Sequence, residues 1–144
     1  MKSYCVESTG RVVVVNLERG DLLLECIKSE LEKFGIRDAV ITSAIGTLSK
    51  VVFHRIINFE PKPVDEIITL EKPIELSSLQ GMVIDGFPHF HMVFSDLEQA
   101  YTGHLHEGSV VLYLAEITLL ELNNAGLKRV PDELGIAKIF PVQQ

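Results

Sequence analysis

Four of the five histidines fall in two His-x-His pairs, His89-Phe90-His91 and His104-Leu105-His106, with twelve residues between them. Side chains on a strand alternate faces, so within each pair both rings point the same way. Neutral imidazole is the commonest nitrogen ligand for a divalent transition metal, and rings gathered on one surface make a site for such an ion. The intervening stretch reads as one tight hairpin. If Asp96-Leu97-Glu98-Gln99 is its loop, Ser95 faces Ala100, His91 faces His104 and His89 faces His106. Directly opposed residues share a face with β-carbons about 4.5–5.5 Å apart, which suits imidazoles converging on an ion at roughly 2.0–2.1 Å. The other parity agrees: Phe90, Met92 and Phe94 point to the same side as Leu105, the apolar side expected of a sheet.

Three imidazoles plus water make an open metal site, whereas four ligands make a closed, structural one. The favoured set is His89, His91 and His104 around a divalent transition metal, zinc first, with His106 as a possible fourth ligand. A hydrated polar face without an ion is the better account of one isolated His-x-His, but two pairs in register favour the metal. His54, between Phe53 and Arg55, reads as a strand residue satisfied by hydrogen bonds and is left out of the ligand set. Asp96 and Glu98 read as turn formers, and Tyr101 as a cross-strand packing residue. Glu107 is a weak catalytic candidate: it could orient a ligand or take a proton from metal-bound water, although a surface carboxylate at a strand end is the commoner role.

The elements that must position these residues are mostly strands. Arg11 to Leu17 is a β-branched run too short for a helix, followed by a turn at Glu18-Arg19-Gly20-Asp21. Asp21 can cap the next segment, in which Leu23, Ile27, Leu31 and Phe34 recur at helical spacing and Gly35 supplies a left-handed stop. Ala39 to Ala44 and Val51 to Phe59 are β-rich runs. Ile67 to Leu70 and Ile74 to Leu79 are short alternating segments that Pro73 separates, and Asp85-Gly86 marks a turn. Pro88 to Ser95, Ala100 to His106 and Ser109 to Leu122 complete the strands, leaving 123–144 as a C-terminal tail with a turn at Asn124-Ala125-Gly126. Many strands and one good helix predict an α+β fold, an antiparallel or mixed β-sheet with one main α-helix packed on a face. No strand and helix alternation and no glycine-rich phosphate motif is present, which removes the usual support for nucleotide binding.

With 144 residues, the chain fits one domain. An apolar fraction of 47% exceeds what such a domain needs to fill its interior, which points to an oligomer. The net charge of −7, with 13 scattered basic residues, supplies no positive stripe for a phosphate backbone. Cys5 and Cys26 lack a C-x-x-C spacing and read as reduced thiols of a cytoplasmic protein. No signal-like opening is seen, and the apolar run from Val110 to Leu122 is broken by Glu116 and Glu121, so no membrane association is expected.

Several blocks together resemble a known family. They are Leu17-Glu18-Arg19-Gly20-Asp21-Leu22-Leu23, Ile41-Thr42-Ser43-Ala44-Ile45-Gly46-Thr47-Leu48, Pro88-His89-Phe90-His91 with Ser95-Asp96, and Gly103-His104-Leu105 with Glu107-Gly108. This ordered series is similar to the PPC domain, the "plants and prokaryotes conserved" domain, over about Leu17 to Leu122. The resemblance implies a compact α+β domain that assembles as a homotrimer, with a histidine site in prokaryotic members onto which His89, His91 and His104 map directly. It also implies partner binding: in plants the domain follows an AT-hook and mediates assembly, and prokaryotic single-domain members are often labelled predicted DNA-binding proteins. An AT-hook needs an Arg-Gly-Arg-Pro core, and here Arg19-Gly20 runs into Asp21-Leu22, so the DNA-reading element is missing. Thr102 stands where the family usually has a second glycine, and His106 where an apolar residue is usual.

Three functions follow for comparison. The leading one is a trimeric, metal-binding protein of regulatory or assembly character, whose histidines brace the hairpin or hold a small ligand or protein partner. The second is a small metal-dependent enzyme of hydrolase or lyase type, with metal-bound water and Glu107 as base. The third is a DNA-binding transcriptional regulator, disfavoured by the acidic charge.

Overall fold

The β-branched and aromatic runs join into fewer, longer strands than their punctuation suggests. In a computed structural model that describes residues 1–142, the elements are β1 (Ser8–Glu18), α1 (Leu23–Lys33), β2 (Ala39–Ile56), β3 (Asp65–Ile84), β4 (Phe87–Ser95), β5 (Ala100–Leu105), β6 (Val110–Asn123), β7 (Leu127–Pro131) and β8 (Ala137–Pro141). The architecture is mostly β, with one short helix on an entirely antiparallel six-stranded sheet of order β1-β6-β2-β3-β4-β5. The α+β expectation is therefore right about the helix and its sheet but understates the strands.

Two features of sequence punctuation are overridden. The runs on either side of Gly46 are one strand, because Gly46 packs against Ala115 of β6 where a β-carbon would not fit. Likewise Pro73 does not end its strand. It falls opposite a register shift between Leu48 and Lys50, and outside the part of β3 that pairs with β4, so its missing N–H costs no ladder bond there.

The helix buries Leu23, Leu24, Ile27 and Leu31 against β1 and β6, while Phe34 lies just past its end and is exposed. Gly35 takes a positive φ of 66° at the C-terminal stop, as its position predicts. Asp21 does not cap the helix. Its carboxylate accepts from Glu18 N within the preceding turn at 2.8 Å, and the Leu23 N–H instead donates to Ser109 O at 2.9 Å. Tertiary structure thus replaces a local cap with a long-range partner.

One connection matters most for the site. Along one edge, β2 pairs first with β6 and then, at Phe53 and His54, with β5. Since β2 also pairs with β3, β3 with β4 and β4 with β5, these four strands close on themselves into a small ring. Gly103 permits the closure: a β-carbon there would meet Phe53 Cδ2 at 2.5 Å and His54 O at 2.7 Å. Inside the ring Phe53 packs edge-on against Phe94 at 5.0 Å between centroids, and both are fully buried with Phe90 and Met92. Truncating Phe53 to alanine would cost about 3–5 kcal/mol, read as a fall in unfolding free energy.

The segment after Asn123 is not a tail. Residues Leu127–Pro131 and Ala137–Pro141 form a second, two-stranded sheet, and β7 lies against β3. The N-terminal segment holds this hairpin in place, with Tyr4 Oη donating to Ile139 O at 3.1 Å and the Lys2 ammonium 4.4 Å from the Phe140 ring centre. Among the described residues no helix is long and apolar enough to cross a membrane.

Candidate metal centre

Alternation sorts the β4–β5 hairpin into two faces. Phe90, Met92, Phe94, Gly103 and Leu105 point into the ring, and His89, His91 and His104 point out of it. The register follows the sequence reading at every paired position: Ser95 faces Ala100 and His91 faces His104. The loop is held by Asp96, whose carboxylate accepts from Glu98 N, Gln99 N and Tyr101 Oη and pairs with Lys72. Lys72 and these N–H donors hold the Asp96 carboxyl far below the usual carboxylate range. Tyr101 stacks on Phe94 across the strands at 5.2 Å, so the turn-former and packing roles read from the sequence both hold.

His89, His91 and His104 each offer a ring nitrogen within 4.8 Å of the other two. Nε2 of His89 and Nε2 of His91 are 3.2 Å apart. That separation matches the roughly 3.3 Å edge of a tetrahedron whose metal–nitrogen bonds are 2.0–2.1 Å. The donor set fits a borderline metal such as zinc: three neutral nitrogens, with no carboxylate among them.

The electrostatics disfavour protonation of His104 and His89. Burial, reinforced by the charges of His54, His89, His91 and His106, pushes His104 down to about 3. His89 is lowered by burial first, then by the Arg129 guanidinium and by its histidine neighbours. At neutral pH the lone pairs of His104 and His89 are therefore available to a cation.

The two remaining histidines form a second group beside the first. The pairing expected between His89 and His106 does not occur. Strand β5 ends at Leu105, and the His106 N–H donates instead to Val52 O on β2 at 2.9 Å. Ser109, fully buried, fixes this turn: its hydroxyl accepts from Val52 N at 2.9 Å. The redirected His106 ring meets His54, with His54 Nδ1 and His106 Nε2 2.7 Å apart, a hydrogen bond that requires one of the two nitrogens to be unprotonated. His54 is thus hydrogen-bonded as its sequence context suggests, but it is also a member of the cluster. It lies directly across from His104, stacked at 4.5 Å and 12°, with Asp65 3.6 Å from its Nε2. Only the β2–β5 closure brings it there, and no local pattern around Phe53-His54-Arg55 carries that information. Glu107 turns toward the helix, where its carboxylate accepts from Lys28 Nζ at 2.8 Å. The next residue, Gly108, donates its N–H to Glu25 Oε1 at 2.7 Å.

An antiparallel ring of strands with one helix and an outward histidine cluster defines a class of small, β-rich domain. The particular family follows from comparison: the profile of the Plants and Prokaryotes Conserved (PCC) domain matches residues 4–123, and this chain belongs to that family. A plant- and prokaryote-conserved (PPC) protein of Pyrococcus horikoshii is 34% identical over 95% of this chain and 96% of its own, with a TM-score of 0.77. The metal-containing protein AF0104 of Archaeoglobus fulgidus is 29% identical over 97% of this chain and 99% of its own, with a TM-score of 0.81. A hypothetical protein of Salmonella enterica shares the fold at 21% identity and a TM-score of 0.80, covering 96% of both chains. No curated protein matches the chain.

Proposed function

We propose that this chain is a single-domain, metal-binding PPC protein of regulatory or assembly character, in which His89, His91 and His104 hold one divalent transition metal, zinc first. The observation that carries the reading is the convergence of three imidazole nitrogens within 4.8 Å of one another on one short hairpin. The description of the Archaeoglobus fulgidus relative as metal-containing supports it. A bound ion would supply a Lewis-acidic centre with a coordination position left over for an outside ligand. The chain's own contribution is orientation: the β4–β5 register aims the rings, and the His54 stack braces His104 from β2.

The assembly part of the reading is a homotrimer. Its support is apolar surface that the chain leaves uncovered, including Val12 at 61% and Val14 at 72% exposure on β1 and Ile67 at 64% on β3. Elemental analysis of untagged protein purified without added metal, together with its mass in solution, tests both parts. About one equivalent of metal per chain and a trimer mass are expected, whereas less than about a tenth of an equivalent ends the metal reading.

The metalloenzyme reading draws on the same leftover coordination position, but Glu107 is held by Lys28 instead of facing the imidazoles. A DNA-binding role is disfavoured by the net charge of −7, which opposes approach to a phosphate backbone. A mobility shift that survives physiological salt would reverse that ranking.

A further inference from the structure

His54 and His106 stand outside the three-histidine set, and their geometry resembles it. Nδ1 of His54 and Nε2 of His106 are 2.7 Å apart, and both residues are half-buried. Their ring centres are 4.9 Å apart with planes at 56°, against 5.2 Å and 48° for His89 and His91. Two imidazoles bound side by side to one ion take up such an arrangement. With bonds near 2.0 Å, their nitrogens are about 3.3 Å apart in a tetrahedron and about 2.8 Å apart when the bonds meet at a right angle. The shorter edge is the one found here, and right-angled nitrogen ligands suit copper(II) better than zinc.

The backbone holds both donors in place. His54 lies opposite His104 across the β2–β5 seam, and the His106 N–H donates to Val52 O, two residues before His54. The turn that follows is tied to the helix by the Gly108 N–H and Glu25 Oε1. Behind the pair, the Asp65 carboxylate is 3.6 Å from His54 Nε2 and draws the ring proton to that nitrogen. Nδ1 is then left with its lone pair, as when a carboxylate orients a metal-bound histidine. The proton that joins the two rings therefore belongs to His106, and an arriving cation needs only to shift it to Nδ1 of the same ring. We infer that His54 and His106 form a second cation site, suited to copper(II), beside the three-histidine centre, with Asp65 as its positioning residue. The two sites share no donor nitrogen, so the second stands or falls independently of the first. Two protein donors hold an ion less tightly than three. The second site thus fills when copper is supplied, while protein purified without added metal carries only the first equivalent.

The test dialyses untagged, metal-stripped, full-length protein against copper(II), the divalent first-row ion that nitrogen donors bind most tightly. Wild type is expected to take up about two equivalents, and His54→Ala and His106→Ala about one each. The double variant His89→Ala/His91→Ala should also keep about one equivalent, and adding His106→Ala to it should leave less than about a tenth. Electron paramagnetic resonance separates the sites: copper couples to two nitrogens in His89→Ala/His91→Ala and to three in His106→Ala. Asp65→Asn should weaken the second equivalent about tenfold and leave the first unchanged; a change within about twofold removes Asp65 from the site. The inference is overturned if His89→Ala/His91→Ala holds less than about a tenth of an equivalent, or if His106→Ala still takes up two. Failure of the three-histidine reading looks different: His106→Ala then retains no copper while His89→Ala/His91→Ala keeps its equivalent. Should His106→Ala or His54→Ala misfold, seen as a changed circular dichroism spectrum, the other variant decides.

Discussion

The β4–β5 hairpin carries a polar cluster at each end, and the two are opposites. At the loop, the Asp96 carboxylate is saturated by Lys72, Tyr101 and two backbone N–H groups. At the other end, His89, His91 and His104 crowd neutral nitrogens together with no carboxylate among them. Both clusters sit on one rigid scaffold, packed over Phe94 and Phe90. The difference teaches what each is for. A group whose bonding capacity is filled from within the chain shapes the fold, and under the proposed metal reading the converging imidazoles are completed by an ion from outside.

The sharpest way to break this comparison is to remove a donor. His104→Ala should abolish metal binding, from about one equivalent per chain to less than about a tenth by elemental analysis, while His106→Ala should leave the stoichiometry unchanged. If both variants keep their metal, the ligand set is wrong. A backbone change comes next. At Gly81, with φ at +131°, an added β-carbon would strike the His89 carbonyl oxygen, and at Gly103 it would strike Phe53. Gly81→Ala should lose about 3 kcal/mol or more, and Gly103→Ala about 1–3 kcal/mol, by denaturant unfolding, with weakened metal affinity in both.

Acid separates the two clusters without mutation. Unfolded histidines take up protons below about 6.5, whereas His104 in the fold stays neutral down to about 3, with His54 and His89 shifted the same way. The unfolded state therefore binds more protons in this window, and metal-free protein loses stability progressively as pH falls from about 6.5 toward about 3. Asp96 has the opposite chemistry and the same sign. Its folded carboxyl is depressed, so its contribution is present above about 3.8 and is lost only below that. Unfolding midpoints between pH 6.5 and about 5.5 then report mainly the imidazole end, above the range in which the depressed carboxyls of Glu121 and Asp96 lose their contribution. A flat profile there would contradict the neutral cluster.

The smaller effects come from the saturated groups. Asp96→Ala should lower the melting temperature and leave metal stoichiometry at the wild-type value, because its role ends at the loop. Glu107→Gln breaks an exposed pair with Lys28 and should change neither the melting temperature nor metal affinity measurably. A fall in affinity would return Glu107 to the site.

What was legible in the sequence follows the range of the interactions. The register of β4 with β5 could be read because a short loop fixes it and a one-residue slip would bury the imidazoles and expose Phe90 and Phe94. The turn at Asp85 and Gly86 was legible for the same local reason, and both residues adopt positive φ. The helix face was readable but not its cap, since the Leu23 N–H is satisfied by Ser109, far along the chain. His54 reads as a hydrogen-bonded strand residue but not as a neighbour of His104, because the forty-nine residues between them must fold before β2 meets β5. The hairpin after Asn123 was read as a tail: its strands are short, mixed in polarity and stabilised by packing on the body, so neither periodicity nor composition announces them.

The closure of β2 onto β5 separates the histidines by when they can meet. His89, His91 and His104 share one hairpin and need only a local chain reversal, whereas the His54 seam joins segments distant along the polypeptide. Local reversals form in microseconds and remote pairings later. The three proposed ligands are thus brought together by the hairpin alone, and the His54 seam closes behind an arrangement already made.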